Sequence, residues 1–95
     1  MAVKIIIKRK VPQEKAADLM PYLKQLRVLA MNQPGYIGGE TLKRIDDPEE
    51  YLVISTWQDV KDWNVWFNNE KRSEIQNQID NLLGEKTEYG VYTYR

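Results

Sequence analysis

The stretch N-Q-P-G-Y-I-G-G-E-T-L-K-R (Asn32–Arg44), followed by E-E-Y-L-V-I-S-T-W (Glu49–Trp57) and D-V-K-D-W-N-V-W-F (Asp59–Phe67), decides the fold. Gln33-Pro34-Gly35 is a stop-and-turn signal. Tyr36 to Ile45 then reads as a strand, with Gly38-Gly39 predicting a bulge or a close backbone approach. Asp46-Asp47-Pro48-Glu49 reads as a hairpin turn, and Tyr51 to Trp57 as the returning strand. Asp59 is placed to cap a short helix through Phe67, with Asp62 three residues on in the manner of a capping box.

Working outward, Val3 to Lys8 is β-branched and reads as a first strand that Pro12 ends. From Gln13 to Asn32 the residues Leu19, Tyr22, Leu23, Leu26, Leu29 and Ala30 recur at helical spacing. Pro21 is expected to kink that helix or restart it with Asp18 as cap. On the other side, Asn69 can cap a helix over Glu70–Leu83, which carries Ile75, Ile79, Leu82 and Leu83 on one face. Gly84 stops it, and Thr87 to Tyr94 reads as a fourth strand. The order βαββαβ, its second helical segment split, is the ferredoxin-like α+β pattern: a four-stranded antiparallel sheet with the helices on one face.

Strands three and four are apolar on both sides. In strand three Tyr51 and Val53 fall on one side and Leu52 and Ile54 on the other; in strand four Tyr89 and Val91 fall on one side and Tyr92 and Tyr94 on the other. Helices can cover only one face. The alternation therefore predicts a homodimer with sheets packed face to face.

The 95 residues make a single domain, 1–95. Fourteen basic residues balance 14 acidic ones, which argues against a sequence-independent nucleic-acid binder. The chain has no cysteine and no histidine. That removes disulfides, thiol catalysis, imidazole bases and imidazole metal ligands. No signal-peptide core or membrane-length apolar run is present, so the expected location is the cytoplasm. Lys8-Arg9-Lys10 reads as a solvated strand end, and Lys61, Glu70, Lys71, Arg72 and Glu74 as helix-surface charges. The acids Asp46, Asp47, Glu49 and Glu50 read as turn residues, because calcium-type ligand spacing is missing. No glycine-rich phosphate loop is present.

The aromatics are the candidates for chemistry. Trp63 and Trp66 lie three apart on one helix face, with Phe67 beside them and Tyr22 and Leu26 placed to oppose them. Packing is the plain reading for Trp63, while Trp66 reads as core or as a pocket wall. Asn64, Asn68 and Asn69 are nearby, with capping the natural role of Asn69.

The segments Asn32–Thr41, Tyr51–Trp57 and Asp62–Phe67 resemble the antibiotic-biosynthesis monooxygenase family of dimeric α/β barrels, and the resemblance extends over nearly the whole chain. It implies a pocket in each subunit between helices and sheet, a dimer formed through the sheets, and a substrate-contacting tryptophan at Trp66. In the family's haem-degrading branch that tryptophan works with a downstream histidine and a first-strand asparagine. Here Gln76 stands at the histidine position and Val3–Lys10 holds no asparagine, so haem degradation is not expected. The cofactor-free branch implies instead that the substrate itself reduces dioxygen. Trp66, Tyr22 and Asn64 then orient the ring and stabilise developing charge, with no cofactor and no metal. Two readings follow: a cofactor-independent monooxygenase of a small aromatic or quinol-like molecule, or a non-catalytic dimeric module of the same fold.

Overall fold

The computed structural model describes all residues, 1–95. Four strands, β1 (Val3–Lys10), β2 (Tyr36–Lys43), β3 (Glu50–Trp57) and β4 (Glu88–Thr93), form one antiparallel sheet in the order β2-β3-β1-β4. Three helices, α1 (Ala16–Met31), α2 (Val60–Phe67) and α3 (Glu70–Leu83), connect them, and a short 3-10 turn over Gln13–Lys15 precedes α1. This is the ferredoxin-like α+β architecture that the βαββαβ order predicts.

The period-two rule fixes which side chains meet the helices. Along β1, Val3, Ile5, Ile7 and Arg9 are buried, while Lys8 and Lys10 are exposed. Across the ladder Val3 pairs with Trp57, Ile5 with Ser55 and Ile7 with Val53 on one side, and Ile7 with Tyr89 on the other. These residues form the helix-facing floor. The opposite face carries Ile6, Leu52 and Ile54 at its centre, with Leu42, Tyr92 and Tyr94 more than two-fifths exposed.

The core has two parts. An aromatic cluster joins Val3, Ile5, Ile7, Trp57, Trp63 and Trp66. An aliphatic cluster joins Val11, Leu19, Ile79 and Leu83, where α1 meets α3. Leu26 touches both.

Several local expectations change in detail. Pro21 neither breaks nor restarts the first helix, which runs unbroken from Ala16 with Lys15 at its N-cap and Asp18 within its first turn. Only the bond from residue 21 to the Ala17 carbonyl is forfeited, and the helix is held by its packing against α3. β2 ends at Lys43, because Arg44 N–H already closes the hairpin on the Glu50 carbonyl at 3.0 Å. The hairpin acids are engaged by cations: Asp46 pairs with Arg44 at 2.6 Å and Asp47 with Lys10 at 2.6 Å. Asp59 caps α2 by accepting from Lys61 N–H at 2.9 Å, but the reciprocal half of a capping box is not made. The Asp62 side chain instead packs where a Cβ on Gly35 would lie. Asn69 caps α3 through Arg72 N–H at 3.0 Å, and Gly84 ends it in the left-handed conformation at φ 71°. The bulge falls between Tyr36 and Gly38.

Candidate functional site

The helices do not fill the space above the sheet. A cavity of about 630 Å³ lies between α1, α2, α3 and the floor, roofed by α1 from Met20 to Ala30. That volume falls in the ordinary range for small-molecule sites. Its walls are mainly apolar, from Ile7, Val53, Leu23, Leu26, Trp57, Trp63 and Trp66, with a few converging polar groups.

Trp57 organises the aromatic end. It stacks on Trp66 at 6.4 Å and 24° between planes, and meets Tyr36 and Trp63 edge-on at 5.3 and 5.9 Å. Its indole N–H donates to Ser55 Oγ at 3.2 Å, which fixes the ring. Gly39 lets the Tyr36 hydroxyl lie over β2, since a Cβ there would come within 2.9 Å of that oxygen.

The polar end is built from Arg9, Arg72, Gln76 and Tyr89, all on the cavity wall. Arg9, Arg72 and Gln76 are each 6–7% exposed. Arg9 Nη2 donates to Gln76 Oε1 at 3.0 Å, and Arg9 Nε is buried with no partner. Gln76 Nε2 donates in turn to Asp80 Oδ1 at 2.9 Å and to Thr87 Oγ1 at 2.8 Å. Arg72 lies over the Phe67 ring at 4.5 Å and the Tyr89 ring at 5.3 Å, and donates to the Phe67 carbonyl at 3.1 Å and to the Tyr89 hydroxyl. Neither arginine forms an ion pair with a carboxylate. Burial pushes both guanidinium pKa values down, and pushes the Tyr89 phenol up despite the two cations beside it.

The three residues that the sequence nominates for the site do not come together. Trp66 lines the cavity at 5% exposure, as does Trp63 at 4%, so burial does not separate wall from core. Tyr22 does not oppose them. It packs against the aliphatic cluster and is not on the cavity wall. Asn64 is exposed and also off the wall; its carbonyl accepts from the Asn68 side chain at 2.8 Å. For two residues, charge alone points the wrong way. Arg9 is not part of a solvated strand end and Arg72 is not a helix-surface charge. Both are legible by position: Arg9 continues the buried stripe Val3-Ile5-Ile7 at period two, and Arg72 heads the stripe Arg72-Gln76-Ile79-Leu83 at helical spacing.

The chain is thus a small α+β protein of ferredoxin-like fold with an aromatic-floored pocket between helices and sheet. Residues 2–78 match the antibiotic biosynthesis monooxygenase family, and the chain belongs to that family. A conserved protein of Methanosarcina mazei Go1 superposes with a TM-score of 0.91 at 21% identity, over 100% of this chain and 94% of that one. SnoaB, a cofactor-independent oxygenase of Streptomyces nogalater, superposes with a TM-score of 0.86 at 18% identity, over 99% and 93% of the two chains. At such identities the likeness speaks to the fold. No curated protein matches the chain in sequence.

Proposed function

We propose that the chain is a cofactor-independent monooxygenase of a small aromatic or quinol-like substrate, with dioxygen as oxidant. The observation that carries this reading is the 630 Å³ cavity floored by Trp57 and Trp66 and closed at one end by four polar groups. Family membership and the likeness to SnoaB support it. The chain offers no imidazole or thiol, and in this reading the substrate itself supplies the electrons that reduce dioxygen. A hydroxylated ring with a reactive CH2 loses a proton, and the resulting anion reduces O2. The carbon becomes C=O and the second oxygen atom leaves as water. Trp66 and Trp57 hold the ring, the apolar walls exclude water, and the arginine end stabilises negative charge as it develops. Tyr22 and Asn64 receive no role in this proposal, since neither reaches the cavity. Oxygen-electrode measurements with a panel of hydroxylated anthrones under isotopically labelled dioxygen test it: uptake above the protein-free rate with label in the product supports the reading, and none across the panel leaves the non-catalytic module.

Haem degradation is not part of the proposal. Both ends of the Gln76 amide are engaged, by Arg9 on the oxygen and by Asp80 and Thr87 on the nitrogen, so Gln76 is poorly placed to ligate iron.

The proposal includes a homodimer through the open sheet face. Ile6, Leu52 and Ile54 at its centre and Leu42, Tyr92 and Tyr94 around them form the uncovered apolar surface that a second copy would bury.

A further inference from the structure

We infer that the polar end of the cavity is a carboxylate-binding site, and that the molecule this protein takes is an aromatic acid. This deepens the pocket reading above and rests on it.

Two cations in the cavity are only partly neutralised by the fold itself. Arg9 on β1 and Arg72 on α3 are more than nine-tenths buried, face one cavity and make no ion pair. Burial lowers the Arg9 pKa, and the Arg72 charge lowers it further. Buried charges are ordinarily paired. The one carboxylate acting on both is Asp80, held by the neutral Gln76 and Thr87, so a single anion faces two cations and the cluster stays net positive.

The donor geometry shows which of the two is poised. Arg72 is stacked between Phe67 and Tyr89 and held by the Phe67 carbonyl and the Tyr89 hydroxyl. Arg9 is held by one bond, from Nη2 to Gln76, while its Nε N–H has no partner. Gln76 is itself fixed by Asp80 and Thr87, so Arg9 is held in place with its hydrogen-bonding capacity incompletely used. A guanidinium with no carboxylate partner and only one N–H engaged favours an incoming carboxylate. A permanently charged resting site calls for a ligand that is anionic when it arrives. A carboxylic acid meets this at neutral pH, whereas a phenol with its ordinary pKa near 10 arrives neutral. The carboxylate therefore sits at Arg9, and the ring lies along Trp66 and Trp57.

The test uses tryptophan fluorescence, since the three indoles line the cavity. Three probes of one shape are titrated under nitrogen: 2-naphthoate, 2-naphthamide and 2-naphthol. The wild-type protein should bind naphthoate roughly tenfold or more tighter than naphthamide, about what one charge-assisted hydrogen bond supplies. Arg9→Met should erase that preference and leave naphthamide binding within about twofold, while Arg9→Lys should keep part of it. Equal binding of acid and amide by the wild type overturns the inference, as does a preference that survives in Arg9→Met. So does a preference for naphthol over naphthoate, which would assign the cations to a phenolate. Should Arg9→Met fail to fold, the wild-type comparison decides alone. Acid preference without oxygen uptake on any aromatic would sustain this site and sink the monooxygenase reading. Uptake without acid preference would do the reverse, and no binding of any probe would remove both.

Discussion

Replacing Arg9 by methionine should stabilise the fold, an uncommon sign for a buried residue. The side chain is 6% exposed, forms no ion pair, and makes one hydrogen bond, at 3.0 Å to Gln76. Removing an ion from water has an effective cost of several kcal/mol even after relaxation. Against that, Arg9→Met loses a charge-assisted bond worth about 1.5–3 kcal/mol and leaves Gln76 Oε1 without its donor. Methionine occupies the path of the arginine stem, so little void opens. Exchanging buried ionic groups for apolar ones of similar volume is commonly neutral or stabilising by about 1–4 kcal/mol. With the Gln76 penalty set against it, a net gain of about 1 kcal/mol is expected. For a domain of this size that raises the melting midpoint by about 4–8 °C. Urea denaturation followed by circular dichroism reads the effect, and an unchanged slope shows that the denatured state is not its origin. Adding Gln76→Leu should increase the gain, because the orphaned carbonyl goes too. If Arg9→Met instead loses more than about 1 kcal/mol at unchanged slope, the arginine is a structural strut and the reasoning fails.

Three further outcomes follow from the geometry. Tyr89 has its pKa raised by burial, so above its ordinary value of 10.0 the unfolded chain gives up the proton first. Stability should therefore fall as pH climbs past 10, and urea midpoints from pH 8 to 11 should fall less steeply in Tyr89→Phe. Gly35 sits at φ 85°, with the Asp62 side chain where a Cβ would go, so Gly35→Ala should cost about 1–3 kcal/mol by denaturation. Light scattering at low micromolar concentration should give twice the 11.2 kDa chain mass, and Ile54→Lys at the centre of the open sheet face should lower it towards the single chain; a wild-type monomer would remove the sheet-to-sheet proposal.

The fold is legible in the sequence because its signals are local and agree with one another. Turn chemistry at Pro34-Gly35 and Asp46–Glu49, the cap at Asn69 and the stop at Gly84 all mark element ends that the structure keeps. Pro21 misleads because tertiary packing of α1 outweighs one missing hydrogen bond. The site is only half legible. Trp66 can be placed on the pocket side because helical spacing ties it to Trp63. Tyr22 cannot be placed, since the same spacing also fits the aliphatic cluster that claims it. Arg9 and Arg72 are hidden wherever charge is allowed to overrule phase. Both stand in register with apolar stripes, and a cation in such a register is buried rather than solvated. Trp57 is hidden for the opposite reason, since its position makes it look like no more than the end of a strand.

The division of the core has a consequence for how the cavity is reached. α1 begins with Leu19 wholly enclosed against Ile79 and Leu83, while its later turns set Leu26, Leu29 and Ala30 on the aromatic cluster and leave Val28 and Met31 more than half exposed. One helix thus seals two compartments, its first turns over the aliphatic cluster and its later ones over the tryptophans. A guest that displaced only the later turns would leave the aliphatic anchorage intact.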